Sequence, residues 1–267
     1  MSGYAVITGG GVGIGRAIAQ RLASDNLEIW LVDNDASQGI QTQSELRAAG
    51  YKCTYVNFDL ADWNCATDVL DLVPTRRGGR LVLVNNAGAR STHGLFEQTE
   101  ESWTQLIAVM MTATFRFSQE FILRAKDSGS HGAICNIGSI VSGLASDQSP
   151  AYHAAKAGVA GLTNYLAVAA GRAGVQMRVN SVEPGLIVQD RHIDAYSAES
   201  NLAWRTMCES YQPTGVVGRE QDVANAVAWL CSDQASYING ATLRIDGGAS
   251  VQDQFTLVKS FNVKHLD

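Results

Sequence analysis

A tyrosine and a lysine four residues apart, Tyr152-His-Ala-Ala-Lys156, with Ser139 thirteen positions before the tyrosine, are the residues of this chain best spaced for chemistry. Positions i and i+4 of a helix share a face, so the phenol and the ammonium lie about one turn apart. A neighbouring cation favours the phenolate. That help matters, because a free tyrosine with a pKa of about 10 is only about one part in a thousand ionised at neutral pH. The chain opens with the apolar run Tyr4-Ala5-Val6-Ile7 and then a glycine-rich turn, Thr8-Gly9-Gly10-Gly11-Val12-Gly13-Ile14-Gly15, followed by Ile18 and Leu22 at helical spacing. This reads as strand, tight turn and helix. The free N–H groups and positive dipole end of that helix suit a pyrophosphate, and glycines permit its close approach. A nucleotide turn combined with a tunable tyrosine points to hydride transfer coupled to proton transfer.

A second apolar run, Ile29-Trp30-Leu31-Val32, ends in Asp33, where an acid can accept hydrogen bonds from a ribose diol. Its charge would repel a 2′-phosphate, and neither Val12 nor Asn34 offers a cation, so the cofactor reads as NAD rather than NADP. The other role open to Asp33 is capping of the helix that follows.

The elements that must position these groups alternate. Apolar, strand-like runs fall at 4–7, 29–32, 54–58, 81–84, 133–137, 176–182 and 241–245. Helical stretches fall at 13–24, 36–49, 62–73, 100–126, 151–172 and 220–231. Strands without polar alternation, interleaved with helices, imply an α/β fold with a parallel sheet covered on both faces. Asp33, Asp59, Asn85, Ser139 and Pro184 all follow apolar runs, at the carboxyl ends where such a sheet binds ligands.

The 267 residues, with 46% apolar content, four prolines and no linker-like stretch, read as one domain. A net charge of −6 argues against a nucleic-acid partner. The basic group Arg76-Arg77-Gly78-Gly79-Arg80 reads as a solvated loop. Five scattered cysteines without a C-x-x-C pair fit reduced thiols in a cytoplasm and no metal site. The start runs straight into the first strand, so no signal peptide is expected, and no run looks apolar enough to span a membrane.

The glycine turn, Asn85-Asn86-Ala87-Gly88, then Ser139, Tyr152 and Lys156, then Pro184-Gly185, resemble the short-chain dehydrogenase/reductase family across nearly the whole chain, to Asp246-Gly247-Gly248. The resemblance implies a single-domain Rossmann-type, doubly wound parallel sheet of about seven strands over 1–248, usually in a homotetramer. It makes Tyr152 the general base in the oxidative direction and Ser139 the partner of the substrate oxygen. Lys156 would hold the ribose hydroxyls and lower the tyrosine pKa. Cofactor contacts would come from Gly9, Gly13, Ile14 and Asp33, from Asp59 and Leu60 at the adenine, and from Asn86, Ala87 and Gly88 under the nicotinamide ribose. Pro184, Gly185 and Ile187 would face the carboxamide. The Y-x-x-x-K spacing is similar to that of the branch using alcohols and ketones, not the enoyl-reducing branch with its wider gap.

Two positions depart from the family pattern. Met110 stands where the family usually has an asparagine that supports a water-linked proton relay. Its side chain cannot donate or accept well, which leaves its backbone carbonyl, or Thr112, to serve the relay. The segment after Pro184-Gly185 ends in Gln189 rather than the usual threonine, and Gln189 could still meet the carboxamide.

Specificity in the family comes mainly from the stretch after Pro-Gly, here about 188–212, and from the loop after Asn-Ala-Gly. Arg90, His93, His153, Glu183 and Arg191 together suggest a polar pocket, although each alone also reads as a solvated or structural group. Trp204, Met207 and Tyr211 recur at near-helical spacing as lid or interface packing. The expected activity is NAD-dependent interconversion of a secondary alcohol and a ketone on a small hydroxylated molecule such as a sugar, polyol or amino alcohol. A non-catalytic NAD(H)-binding redox sensor and a reductase of 3-oxoacyl or steroid-like ketones are the alternatives. The apolar scatter in 249–267 is expected to pack on a neighbouring subunit.

Overall fold

The β-rich runs become seven parallel strands in the order β3-β2-β1-β4-β5-β6-β9. In chain order these are β1 (Gly3–Thr8), β2 (Leu27–Asp33), β3 (Cys53–Asn57), β4 (Arg80–Asn85), β5 (His131–Ile137), β6 (Met177–Pro184) and β9 (Thr242–Ile245). Short strands β7 (Ile187–Val188) and β8 (Gly218–Arg219) form a separate pair. The structure is a computed structural model and describes residues 3–74, 77–89 and 94–253.

Side-chain alternation along the strands separates the two faces of the sheet. Ala5, Ile7, Ile29 and Leu31 pack with Ile18 and Leu22 of α1 (Gly13–Ser24), Leu46 of α2 (Ala36–Ala48), and Val223 and Val227 of α9 (Glu220–Cys231). Tyr4, Val6, Trp30 and Val32 point to the other face. There they meet Val69 and Leu70 of α3 (Cys65–Leu72), Phe117 and Phe121 of α5 (Ala113–Ser128), and Leu166 and Ala170 of α6 (Pro150–Arg172). Both faces are covered over the central strands, which is why these read as unbroken apolar runs, whereas the edge strand β9 is mostly exposed.

The helix expected at 100–126 is α4 (Glu100–Ile107), a π-helical turn at Ala108–Thr112, and α5. The continuous stretch Glu100–Ser128, with a window of mean hydropathy 1.3, is by length and composition apolar enough to cross a membrane, contrary to expectation. Here Phe117, Phe121 and Ala125 of that stretch are spent on the core beside the sheet.

The helix expected from 62 begins at Cys65. Arg80 is not a loop residue but the first of β4, and it donates to the Cys231 carbonyl at the end of α9 (2.9 Å). Arg178 donates to the Leu230 and Ser232 carbonyls (2.7 and 2.9 Å). Two cations thus satisfy the unpaired carbonyls and the negative dipole end of α9. Arg76 lies outside the described residues, and so does 254–267, most of the tail expected to meet a neighbour.

The stretch after β7 folds into α7 (Ile193–Ser197) and α8 (Leu202–Ser210). It has a small core of its own made by Val188, Tyr196, Cys208 and Val217. Trp204 packs edge-on against Tyr196 (5.7 Å between ring centres), and the Tyr196 hydroxyl donates to Glu209 (2.8 Å).

One bond ties α2 to the glycine turn: the buried Thr42 hydroxyl donates to the Gly11 carbonyl (2.8 Å). In Thr42→Val the carbonyl loses that buried donor, and unfolding in urea should show a loss of about 1–2 kcal/mol.

Candidate active site

The sheet order reverses between β1 and β4, and the carboxyl ends of these strands open a cleft of about 490 Å³. The two ends are held together by Thr8, whose hydroxyl oxygen accepts from the Asn86 and Ala87 N–H groups (3.0 and 3.2 Å). The Asn86 amide donates back to the Thr8 and Gly9 carbonyls (3.0 and 2.8 Å). This leaves no room for a side chain at Gly9 or Gly15. A Cβ on Gly9 would sit 2.8 Å from Ala87 Cα, and one on Gly15 2.0 Å from the Gly9 carbonyl oxygen. Gly9 and Gly13 also hold positive φ (62° and 63°), which non-glycine residues rarely adopt.

Every residue expected to contact a cofactor lines this one cleft. Gly9, Gly13 and Ile14 form its floor beside the start of α1, with Asp33, Asp59 and Leu60 at one side. Asn86, Ala87 and Gly88 follow β4; Tyr152 and Lys156 come from α6; Pro184, Gly185 and Ile187 follow β6. Asp33 accepts from the Gly11 N–H (2.9 Å) and, through its other oxygen, from the Asp35 N–H (3.1 Å), and each oxygen keeps lone-pair capacity. The helix cap considered for Asp33 belongs to Asp35, which accepts from Gln38 N–H (3.1 Å). Tyr55 holds the end of β2 by donating to the Asp33 carbonyl (3.0 Å).

Ser139 follows β5 and opens a short 3-10 turn, its hydroxyl accepting from Val141 N–H (3.3 Å). Ser149 caps α6, accepting from Tyr152 N–H (3.2 Å), with Pro150 in the first turn. Lys156 is 5% exposed, and its ammonium donates to the Ile137 carbonyl (2.7 Å). That ammonium lies 5.7 Å from the Tyr152 ring centre. Burial lowers its pKa to about 8.

The residues present fit a dinucleotide. The glycines let the turn pack against its neighbours, since a Cβ on Gly9 or Gly15 would clash with Ala87 or the Gly9 carbonyl, and the Gln189 amide oxygen is buried beside Gly13 without a hydrogen-bond partner. Gln189 therefore lines the cleft beside Gly13 with its amide oxygen unpaired. Arg191 also lines the cleft, and with Lys156 it supplies the cations among the described lining residues. Sequence reasoning missed Gln105, Leu106 and Val109, which reach the cleft wall from α4 and the π-turn. Their i, i+1, i+4 spacing on an amphipathic helix was the available signal.

Three polar candidates are elsewhere. Glu183 does not line the cleft: it is buried beneath the Ser139 turn, accepts from the Ser142 hydroxyl and faces Arg244 (3.6 Å). Successive strand residues point to opposite faces, so Pro184 in the cleft sends Glu183 away from it. His153 is used by its own loop, donating through Nδ1 to the Ser149 carbonyl (3.0 Å) and accepting at Nε2 from Ser146 N–H (3.1 Å). Asn85 joins a buried network with Ser118 and Asn136 (3.0 and 2.8 Å) rather than the cleft. Arg90 and His93 lie outside the described residues. Met110 is 2% exposed, and its carbonyl accepts from the hydroxyl of Thr114, not Thr112 (2.8 Å).

A family model described as Enoyl-(Acyl carrier protein) reductase matches residues 10–250. The chain is 34% identical over 244 residues to the 3-oxoacyl-(acyl-carrier-protein) reductase FabG of Escherichia coli, across 91% of this chain and 96% of that one. An Agrobacterium tumefaciens protein assigned as a 2-deoxy-D-gluconate 3-dehydrogenase, solved with bound NADP, matches with a TM-score of 0.80 at 30% identity, covering 94% of this chain and 97% of that chain. A Brucella melitensis 3-oxoacyl-(acyl-carrier protein) reductase solved with bound NAD matches with a TM-score of 0.79 at 25% identity, over 93% and 91% of the two chains.

The depressed pKa of Lys156 fixes the sign of a pH effect. The buried ammonium burdens the folded state fully below pH 8, and the burden lifts as pH rises from about 8 toward 10.5, the range over which only the unfolded chain keeps the proton. The Tm of the cofactor-free protein relative to Lys156→Met should therefore improve between pH 7 and pH 10. An unchanged difference would mean that Lys156 is not buried as a cation.

Proposed function

The chain belongs to the short-chain dehydrogenase/reductase family of oxidoreductases, and on that premise we propose that it is an NAD-dependent enzyme interconverting a secondary alcohol and a ketone. The observation that carries this reading is the convergence of Ser139, Tyr152 and Lys156 on one cleft with the glycine turn and Asp33. When bound, NAD supplies a hydride acceptor beside the substrate carbon. The glycine turn would hold its pyrophosphate, Asp33 a ribose diol, Asp59 and Leu60 the adenine, and Gln189 the carboxamide through its unpaired oxygen.

The chain's own groups do the proton work. Ser139 donates to the substrate oxygen and orients it. Tyr152 takes the hydroxyl proton in the oxidative direction, and the Lys156 ammonium 5.7 Å from its ring favours the negative charge left on the phenol. The Ile137 carbonyl keeps that ammonium aimed into the cleft. The Met110 carbonyl, which the Thr114 hydroxyl already meets, is what this chain offers in place of an asparagine.

NAD over NADP rests on Asp33 and on the neutral Val12 and Asn34 that line the cleft beside it. The sugar acid in the name of the Agrobacterium relative and the cation at Arg191 support a small hydroxyl-rich or carboxylate-bearing substrate. With Glu183 turned away, the amino alcohols lose the carboxylate that would have met them. The acyl-carrier reductases among the relatives make 3-oxoacyl reduction the competing chemistry. A reducing, cytoplasmic setting agrees with five free, buried thiols. A homotetramer, as is usual in the family, completes the reading.

NADH formation at 340 nm, followed with sugars, sugar acids, polyols, hydroxy acids, 3-hydroxyacyl thioesters and hydroxysteroids, tests it. Turnover with NAD should fall about 100-fold or more in Tyr152→Phe, the usual worth of a positioned general base, with NADH binding still detectable. Binding of NADH without turnover of any alcohol would instead favour the sensor, for which the missing asparagine at Met110 is the support. Asp33→Ala should weaken NADH binding about tenfold, the scale of a lost charge-assisted hydrogen bond, and bring NADPH closer to it in fluorescence titrations.

A further inference from the structure

Glu183 is an acid in an expensive place. It sits in β6 one residue before Pro184, 5% exposed, where a small apolar residue would fill the sheet without desolvating a charge. Its side chain lies directly under the end of β5: a Cβ on Gly138 would be 3.1 Å from Glu183 Cγ. One carboxylate oxygen accepts from the Ser142 hydroxyl, and the other lies 3.6 Å from Arg244 Nε on the neighbouring β9, where Glu183 and Arg244 are register partners. Ser142 closes the turn that Ser139 opens, its N–H donating to the Ser139 carbonyl (3.0 Å), while Val141 N–H donates to the Ser139 hydroxyl oxygen (3.3 Å). The chain of contacts therefore runs from β9 through Arg244, Glu183 and Ser142 to the backbone and hydroxyl of Ser139.

We propose that Glu183 is the positioning residue for Ser139: its carboxylate anchors Ser142, and through it the 139–142 turn, to β6, with Arg244 as counter-charge. A hydrogen bond to an ionised acceptor is roughly twice as strong as a neutral one, which suits a turn that must hold a hydroxyl still. The substrate-binding role expected for this acid is thus replaced by one behind the site.

The kinetic part of the test rests on the proposed alcohol–ketone activity; the exchange part does not. Amide hydrogen exchange of the segment 138–145, read by mass spectrometry on the cofactor-free protein, should accelerate about tenfold in Glu183→Ala, the scale of one lost charge-assisted hydrogen bond. Glu183→Gln keeps a neutral acceptor for Ser142 and should restore part of the protection. Ser142→Ala should reproduce Glu183→Ala, and the double variant should be no worse than either; Ser142→Ala also serves if Glu183→Ala does not fold. With a substrate in hand, kcat should fall in Glu183→Ala and Ser142→Ala and recover in Glu183→Gln, with the NADH dissociation constant unchanged throughout. Unchanged exchange in both alanine variants, or a glutamine variant as loose as alanine, would overturn the proposal. Altered exchange in a protein that turns over no alcohol would fault the activity and leave the positioning standing.

Discussion

The cleft is measured from one junction, the Thr8 hydroxyl caught between the parting ends of β1 and β4. It accepts two backbone N–H groups from the segment after β4, and Asn86 returns two bonds to the segment after β1. An open parallel sheet has its ligand-binding crevice where strand order reverses, but that crevice is useful only if the two flanking loops keep a fixed separation. Here they approach so closely that Gly9 cannot carry a side chain. The glycine floor and the Asn86–Gly88 wall are consequences of this closeness, and the groups on α6 and after β6 are aimed at the space it leaves.

Around that junction the chain keeps several charges out of water, each with a different compensation. Lys156 leans on a carbonyl at the end of β5. Glu183 has a hydroxyl and a distant guanidinium. Glu220, whose pKa burial raises, accepts from Asp190 N–H (3.3 Å) at the root of the segment that follows β7. Such groups lower stability unless paired, and of the three only Lys156 lines the cleft, while Glu183 and Glu220 lie outside its lining.

The strands and most helices were legible because each obeys one period and ends in a clear stop. The helix α1 begins at Gly13 and α9 ends at Cys231, as the pattern implied. The cleft-lining residues at the strand ends were legible for a related reason: a parallel sheet opens its crevice at the carboxyl ends of its strands, where the glycine turn and Asp33 stand. The π-turn at Ala108–Thr112 was invisible, because nothing in Ala-Val-Met-Met-Thr breaks helical propensity. Glu183 and His153 misled for a common cause. Both are polar residues beside a motif, but direction is set by strand alternation for one and by the Ser146–Ser149 loop for the other. A residue's type declares what it can bond, not which way it faces.

The small core of Val188, Tyr196, Cys208 and Val217 has an evolutionary consequence. The segment between β7 and β8 builds this core from its own residues, leaves Leu202, Trp204, Met207 and Tyr211 half-exposed, and starts and ends side by side through the β7–β8 pair. It touches the rest of the molecule at its two ends, through Asp190 to Glu220 and through Gln212–Thr214 against Gly247 and Gly248, so versions of it that keep those ends could be exchanged while the seven strands stay as they are. A descendant of this chain could thus acquire a new clientele by rewriting positions 190–217, with Ser139, Tyr152, Lys156 and the glycine turn inherited intact.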